Sequence, residues 1–228
     1  LFLCSSVPLF QHAIIAAMNS GALWWLGGAA GAAALLYWQV VIAEGAYLGP
    51  WAVRLVYSLG APHYDELRAP GQPAADASLR PLLEAALADT AGAAVLDVAT
   101  GTGRVPRLLA QLATPPARVA ALDLTPAMLA AARRKQPGTP VGWALGEAGS
   151  LPWRNSCFDL VCCLEALEYF PRPRRALAEL ARVLRPGGAL LISKWPDRWA
   201  RLLPGRALGA AALARELAAS GLVDLQFR

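Results

Sequence analysis

Asp97 and Asp123 are the residues from which chemistry can be read first. Asp97 stands near the end of an apolar run, Ala94 to Ala99, and a loop with Gly101 and Gly103 follows it into a helical pattern. Asp123 stands at the end of the next apolar run. Glycines at such a turn let the backbone approach a ligand closely, and the carboxyl end of a parallel strand is where α/β sheets bind nucleotides. An acid in the position of Asp123 can accept hydrogen bonds from both hydroxyls of a ribose. Gly146-Glu147-Ala148 ends a third apolar run, where an acid and an amide can meet an adenine edge. Leu184-Arg185-Pro186-Gly187-Gly188 reads as a sharp turn into a fifth run. The glycine loop alone is equally a plain tight turn; the four features in this order point to a nucleotide-like ligand.

Other reactive side chains are less informative. Glu165, Glu168 and Tyr169 follow the fourth apolar run and are candidates for a general base. Each also reads as a helix-face or capping residue, so no catalytic residue is singled out. His63 is a candidate to cover the site and equally a surface residue. The four cysteines have no C-x-x-C spacing and there are two histidines, so no metal site is expected. Cys162 and Cys163 read as small buried hydrophobes in a strand of a protein kept reduced.

The elements that must position these residues alternate. Strands are predicted over Ala94–Ala99, Arg118–Leu124, Val141–Gly146, Phe158–Cys163 and Ala189–Trp195, with helices over Arg104–Ala113, Pro126–Lys135 and Arg172–Leu184. A further helix places Leu79, Leu82, Leu83, Ala86 and Leu87 on one face. Apolar strands alternating with helices imply an α/β fold, a doubly wound and mainly parallel sheet covered on both faces.

At this point the chain resembles the class I S-adenosylmethionine-dependent methyltransferases that act on small molecules, including quinones and other lipid-like acceptors. VLDVATGTGR, VAALDLTPAMLAAAR, GEAGSLPWRNSCFDLVCCLEALEYF and LRPGGALLIS carry the resemblance, between Val95 and Trp195. It implies a Rossmann-like fold, S-adenosylmethionine as cofactor and a small-molecule acceptor. Asp97 would hold the methionine amino group. Ala99, Gly101 and Gly103 would let the loop pass the cofactor. Asp123 would bind the ribose diol, with Leu124 and Met128 flanking the adenine. Glu147 and the Ala148 amide would face the adenine edge, and Leu164 would offer backbone to the methionine part. Two departures stand out. The family has glycine where this chain has Ala99, which is accommodated if its φ is negative, and aspartate where this chain has Glu147. The family sheet also closes with two further strands, of which Gly221–Arg228 can supply one. A nicotinamide-binding domain is the enzymatic rival, but the third glycine of its fingerprint falls at Pro106. A membrane-tethered platform without catalysis is the other alternative.

The first charged residue is Glu44. Gly21–Ala43 is an apolar run with aromatic pairs Trp24/Trp25 and Tyr37/Trp38 near its ends, as expected of a transmembrane helix and its interfacial belts. Leu1–Met18 is also apolar but interrupted, and reads as a second span, an interfacial piece or a remnant. A signal peptide or a core helix are the competing readings of this end. Gly27 and Gly31 form a G-x-x-x-G step, which leaves homodimerisation open. Tyr47–Pro62 reads as a juxtamembrane stretch and Arg68–Asp76 as a Pro/Gly-containing linker. The expected organisation is a hydrophobic segment over 1–45, juxtamembrane stretch and linker over 46–76, and a methyltransferase domain over 77–228. The net charge of +5 is scattered over helices rather than gathered in a stripe. It fits an anionic membrane surface and not a nucleic acid, with the catalytic domain in the cytoplasm.

Overall fold

The computed structural model describes residues 9–224. It separates into a compact unit that ends at Ile42 and a larger one that begins at Ala43.

The first unit is helical. Helix α1 spans Leu9–Tyr37 and continues as a π-helical turn over Trp38–Ile42. The apolar but interrupted stretch Leu1–Met18 is, from Leu9 onward, the start of the same helix and not a separate piece. Cys4 and the rest of residues 1–8 lie outside the described residues. Leu23–Ile42 is 20 residues long with a mean hydropathy of 1.4 and no buried share, so by length and composition it is able to cross a membrane.

The second unit holds a five-stranded parallel sheet in the order β3-β2-β1-β4-β5. The strands are β1 (Ala94–Val98), β2 (Arg118–Asp123), β3 (Val141–Leu145), β4 (Phe158–Cys163) and β5 (Leu184–Ile192). Side chains alternate across a strand, and here both faces are buried. Val95, Leu160 and Cys162 pack with Leu79, Leu83, Leu108 and Leu109 on one face. Leu96, Val98, Val161 and Cys163 pack with Leu177, Leu180, Val183 and Leu213 on the other. The covering helices are α4 (Gln72–Leu87), α5 (Arg104–Leu109), α6 (Pro126–Lys135), α7 (Pro173–Val183) and α9 (Ala210–Ala219), with a short α8 at Asp197–Ala200. Proline at the first turn suits α6 and α7 because that N–H has no partner within a helix. Of the strand expected over Gly221–Arg228, residues 221–224 form a turn and bend, and 225–228 lie outside the described residues.

Two expectations are corrected. The turn at Leu184–Gly188 does not precede β5 but belongs to it: Leu184 pairs with Phe158, and the register then jumps to Ala189 opposite Leu160. Residues 185–188 are thus a bulge, and Arg185 is tied back by its bond to Asp159 at 2.6 Å. The linker expected over Arg68–Asp76 is mostly helix. Helix α3 (Tyr64–Arg68) is followed after three residues by α4, whose Asp76 pairs with Arg104 at 2.8 Å and Arg107 at 2.5 Å. Burial by itself would raise the Asp76 carboxyl, but Arg107, Arg104 and Gln72 more than offset this and hold it below the usual range.

The juxtamembrane stretch also folds back. Helix α2 (Pro50–Gly60) buries Ala52 and Val53 and exposes Trp51, Leu55 and Leu59 along its other side. Arg206 donates to the carbonyls of Ala46 (2.6 Å) and Phe170 (2.7 Å) and lies over the Tyr47 ring. Residues 43–68 are thereby part of the α/β unit.

A β-carbon at Gly188 would stand 2.8 Å from the Asp159 carbonyl and 2.9 Å from Leu184. Gly188→Ala should therefore lower stability by about 1–3 kcal/mol through overpacking, read as an earlier midpoint in denaturant unfolding. An unchanged midpoint would show that the bulge yields without strain.

Candidate active site

Neighbouring strands deliver two carboxylates to one edge of the sheet, since Asp97 is next to last in β1 and Asp123 is last in β2. Both are buried, at 2% and 7% exposed. The Asp123 carboxylate accepts the Gly101 N–H and the Thr125 N–H, each at 2.8 Å. It thus shapes the loop after β1 and the start of α6 with one side chain. Burial raises its pKa, and the Thr125 and Gly101 amides partly offset the rise. Asp97 carries a larger penalty. Burial pushes it up to about 7 and the neighbouring Asp123 adds to the rise, while Thr100 and Arg104 act against it.

Asp123 opens on a cavity of about 400 Å³. Its lining includes Ala99, Gly101, Asp123, Leu124, Glu147 and Ala148, all anticipated from the sequence. Leu164 lines it too and also borders an adjoining recess of about 60 Å³, to which Asp97 belongs. The structure does not bring two expected residues to the cavity. Met128 is fully buried within α6 and lines neither space. Gly103 also lines neither; a β-carbon there would meet the Gln136 side chain at 2.3 Å and Trp143 at 3.1 Å, so this glycine serves close packing of α5 on α6 and β3. Gly101 differs, because a β-carbon there would meet only the Tyr64 ring, at 3.9 Å.

Ala99 does not have the negative φ that would make its methyl harmless. Its φ is +60°, and that of Glu165, across the site, is +56°. Left-handed backbone at non-glycine residues costs on the order of 1–3 kcal/mol each and clusters at functional sites.

The rest of the cavity lining was not legible in the motifs. Pro50, Val53 and Tyr57 from α2, Tyr64 from α3, and Tyr169 and Phe170 after β4 line it. Residues 43–68 form this wall and are clasped to the glycine loop: Asp65 accepts from the Thr102 hydroxyl at 2.7 Å and pairs with Lys135. Arg68 pairs with Glu165, which also takes Arg104 at 3.1 Å. Of the candidate bases, Glu165 is thus held by two arginines. Glu168 is buried and accepts the Trp195 N–H at 2.7 Å without lining the cavity. His63 is exposed beside Glu66 and lies off the cavity. Tyr169 lines it.

Residues 96–192 match the family described as a methyltransferase domain. A demethylmenaquinone methyltransferase of Thermus thermophilus is 40% identical over 104 residues, covering 45% of this chain and 47% of that protein. The chain therefore spans about half the length of this curated relative. Among solved structures, the amino pentose methyltransferase CalS10 of Micromonospora echinaspora, with S-adenosylmethionine bound, is 30% identical at a TM-score of 0.50. The similarity covers 64% of this chain and 58% of that one. The [4+2]-cyclase SpnF is 26% identical at a TM-score of 0.61, covering 76% and 72%. The chain carries a class I S-adenosylmethionine-dependent methyltransferase domain with the Rossmann-like fold, and S-adenosylmethionine is the cofactor of that class.

The raised pKa of Asp97 sets a pH dependence. A buried acid that holds its proton in the folded state stabilises the fold below its unfolded pKa near 4, and that contribution is lost as pH rises through about 7. Ligand-free protein should lose stability over this window. Asp97→Asn, which stays neutral, should be the more stable form at pH 8, by about 4 kcal/mol, and equal to wild type at pH 4. Thermal melts of both proteins across pH 4–8 check this; parallel curves would show that Asp97 ionises freely.

Proposed function

We propose that the protein binds S-adenosylmethionine at the strand-end acids and methylates a small hydrophobic acceptor drawn from a membrane. The observation that carries this reading is a single cavity lined both by strand-end acids and a glycine, Asp123, Glu147 and Gly101, and by the aromatic side chains Tyr57, Tyr64, Tyr169 and Phe170. The residues fit the cofactor. Asp97 is a buried carboxyl whose desolvation an ammonium group would relieve. Asp123 uses one acceptor position on each oxygen for Gly101 and Thr125, which leaves lone pairs for two ribose hydroxyls. Glu147 and the Ala148 amide would take the adenine edge, Leu124 its face, and the Leu164 backbone the methionine part. Ala99 and Gly101 would form the loop that passes it.

Bound there, the cofactor supplies a methyl group activated by a sulfonium. The chain's part is orientation and exclusion of water, which is where most of the rate enhancement of such a displacement resides. Tyr64 and the clasp at Asp65 would close one side, and Val53, Tyr57, Tyr169 and Phe170 would present the acceptor. The apolar helix up to Ile42 and the exposed ridge Trp51, Leu55 and Leu59 support a membrane location, with the domain in the cytoplasm where the cofactor is made. The relative named for a demethylated menaquinone supports a lipid-like acceptor. A second reading, in which the domain binds the cofactor but transfers no methyl, is favoured by the likeness to a cyclase.

Incubation of full-length protein with methyl-labelled cofactor and membrane extract should yield a labelled, organic-extractable product. Cofactor binding without any labelled product would select the second reading. Asp123→Ala should weaken cofactor binding about ten-fold or more in calorimetry, the loss of charge-assisted hydrogen bonds; an unchanged affinity would move the ribose elsewhere. Carbonate extraction should leave the full chain in the membrane pellet, and its release would refute a spanning helix.

A further inference from the structure

Glu44 is the first charge in the chain and lies well outside the residues that match the methyltransferase domain. Its placement is deliberate in physical terms. Its φ is +48°, and it is followed by Gly45 at +78°. A β-carbon on Gly45 would meet the Ala52 backbone at 2.9 Å, so the turn must press against α2 at this point. The turn folds the Glu44 side chain back to accept the Tyr57 hydroxyl. Tyr169 is a second phenolic neighbour of the same carboxyl. Both tyrosines line the cavity, whereas Glu44 does not.

We propose that Glu44, acting through Tyr57 and Tyr169, is the terminal proton acceptor for a substrate that carries an ionisable hydroxyl, a phenol or hydroquinone. This rests on the reading of the cavity as a methyl-transfer site. The acceptor hydroxyl donates to a tyrosine oxygen as that tyrosine passes its own proton to Glu44. The oxygen electron pair released from the O–H bond forms the O–CH3 bond. The methyl–sulfur bond breaks with its pair on sulfur, leaving a neutral thioether. A sulfonium and a carboxylate become two neutral groups, a change that a water-poor pocket favours.

The surroundings tune the base. Burial raises the Glu44 pKa; Tyr57 and Tyr169 from two sides and Arg68 from α3 work against that rise, and Glu165 adds to it. A carboxyl whose pKa is raised by burial is a stronger proton acceptor than an exposed one, which favours a general-base role. Tyr57 and Tyr169 are both held well above the ordinary phenol range, by burial first and by Glu44 next, so they transmit a proton without standing ionised themselves.

The test uses full-length protein in detergent with three probes of increasing acidity: an alkyl hydroquinone, 1-naphthol and 4-nitrophenol. Wild type should methylate them. Glu44→Gln should bind S-adenosylmethionine with unchanged affinity yet turn over the two weakly acidic probes about 10²-fold more slowly or worse. The loss should shrink toward none for 4-nitrophenol, which ionises unaided, and should shrink for the others as pH rises. Tyr57→Phe should show the same acidity-dependent loss, and the double variant should be little worse than either single one. Equal slowing on all three probes, or no slowing, would overturn the relay, because damage to packing alone does not follow acceptor acidity. Cofactor binding with no methylation of any hydroxyl probe by wild type would overturn the substrate class. Absence of cofactor binding in wild type would instead overturn the underlying reading of the site.

Discussion

The Asp123 carboxylate is the fixed point of the site. Its two oxygens hold the Gly101 and Thr125 amides, so one buried charge at the end of β2 dictates the path of the loop after β1 and the start of α6. Such an arrangement tolerates burial because backbone donors satisfy the charge. Asp97, one strand away, lacks that support, and its pKa rises accordingly. Two acids of the same type, on neighbouring strands, are thus set to different tasks by the donors around them. The parallel sheet makes this contrast available, since it brings strand ends with different loops to one edge.

Strain gathers around the same edge. Glu44, Ala99 and Glu165 are left-handed without being glycines. Each is over-determined by a neighbour: Glu44 by Gly45 against α2, Ala99 by the loop that Asp123 fixes, and Glu165 by the hydrogen bond its backbone N–H donates to the Ser193 hydroxyl at 2.5 Å together with the arginines on its carboxylate. The well-packed layers of the sheet supply the stability against which such conformations are held.

The parallel strands were legible because each is a short apolar run bounded by turn residues, and β4 was placed to the residue. The acidic part of the cavity lining was legible for the same reason, since strand ends and site coincide. What escaped had a physical cause. The bulge at residues 185–188 reads as a turn because proline and glycines serve both purposes. The break at Arg68–Asp76 was overvalued because Gly71 and Pro73 flank a helix start, where proline is at home. Ala99, at φ +60°, lies in a loop whose Gly101 N–H is held by Asp123, 22 residues beyond that glycine, and such a tie is not visible locally. The wall formed by residues 43–68 depends on ion pairs between segments far apart in sequence, which no local pattern announces. Met128 and Gly103 sit in motif positions, yet packing of α6 and α5 claims them.

The clasp at Asp65, Lys135, Arg68 and Glu165 also separates two kinds of cohesion. These charged groups are roughly half exposed, and such pairs contribute little singly and are screened within about 8–10 Å at moderate ionic strength. The sheet beneath is held by apolar contacts that added salt does not weaken. Ionic strength therefore acts on the wall of the cavity and not on its floor. How firmly residues 43–68 are held against the glycine loop is therefore set by the solution as much as by the chain.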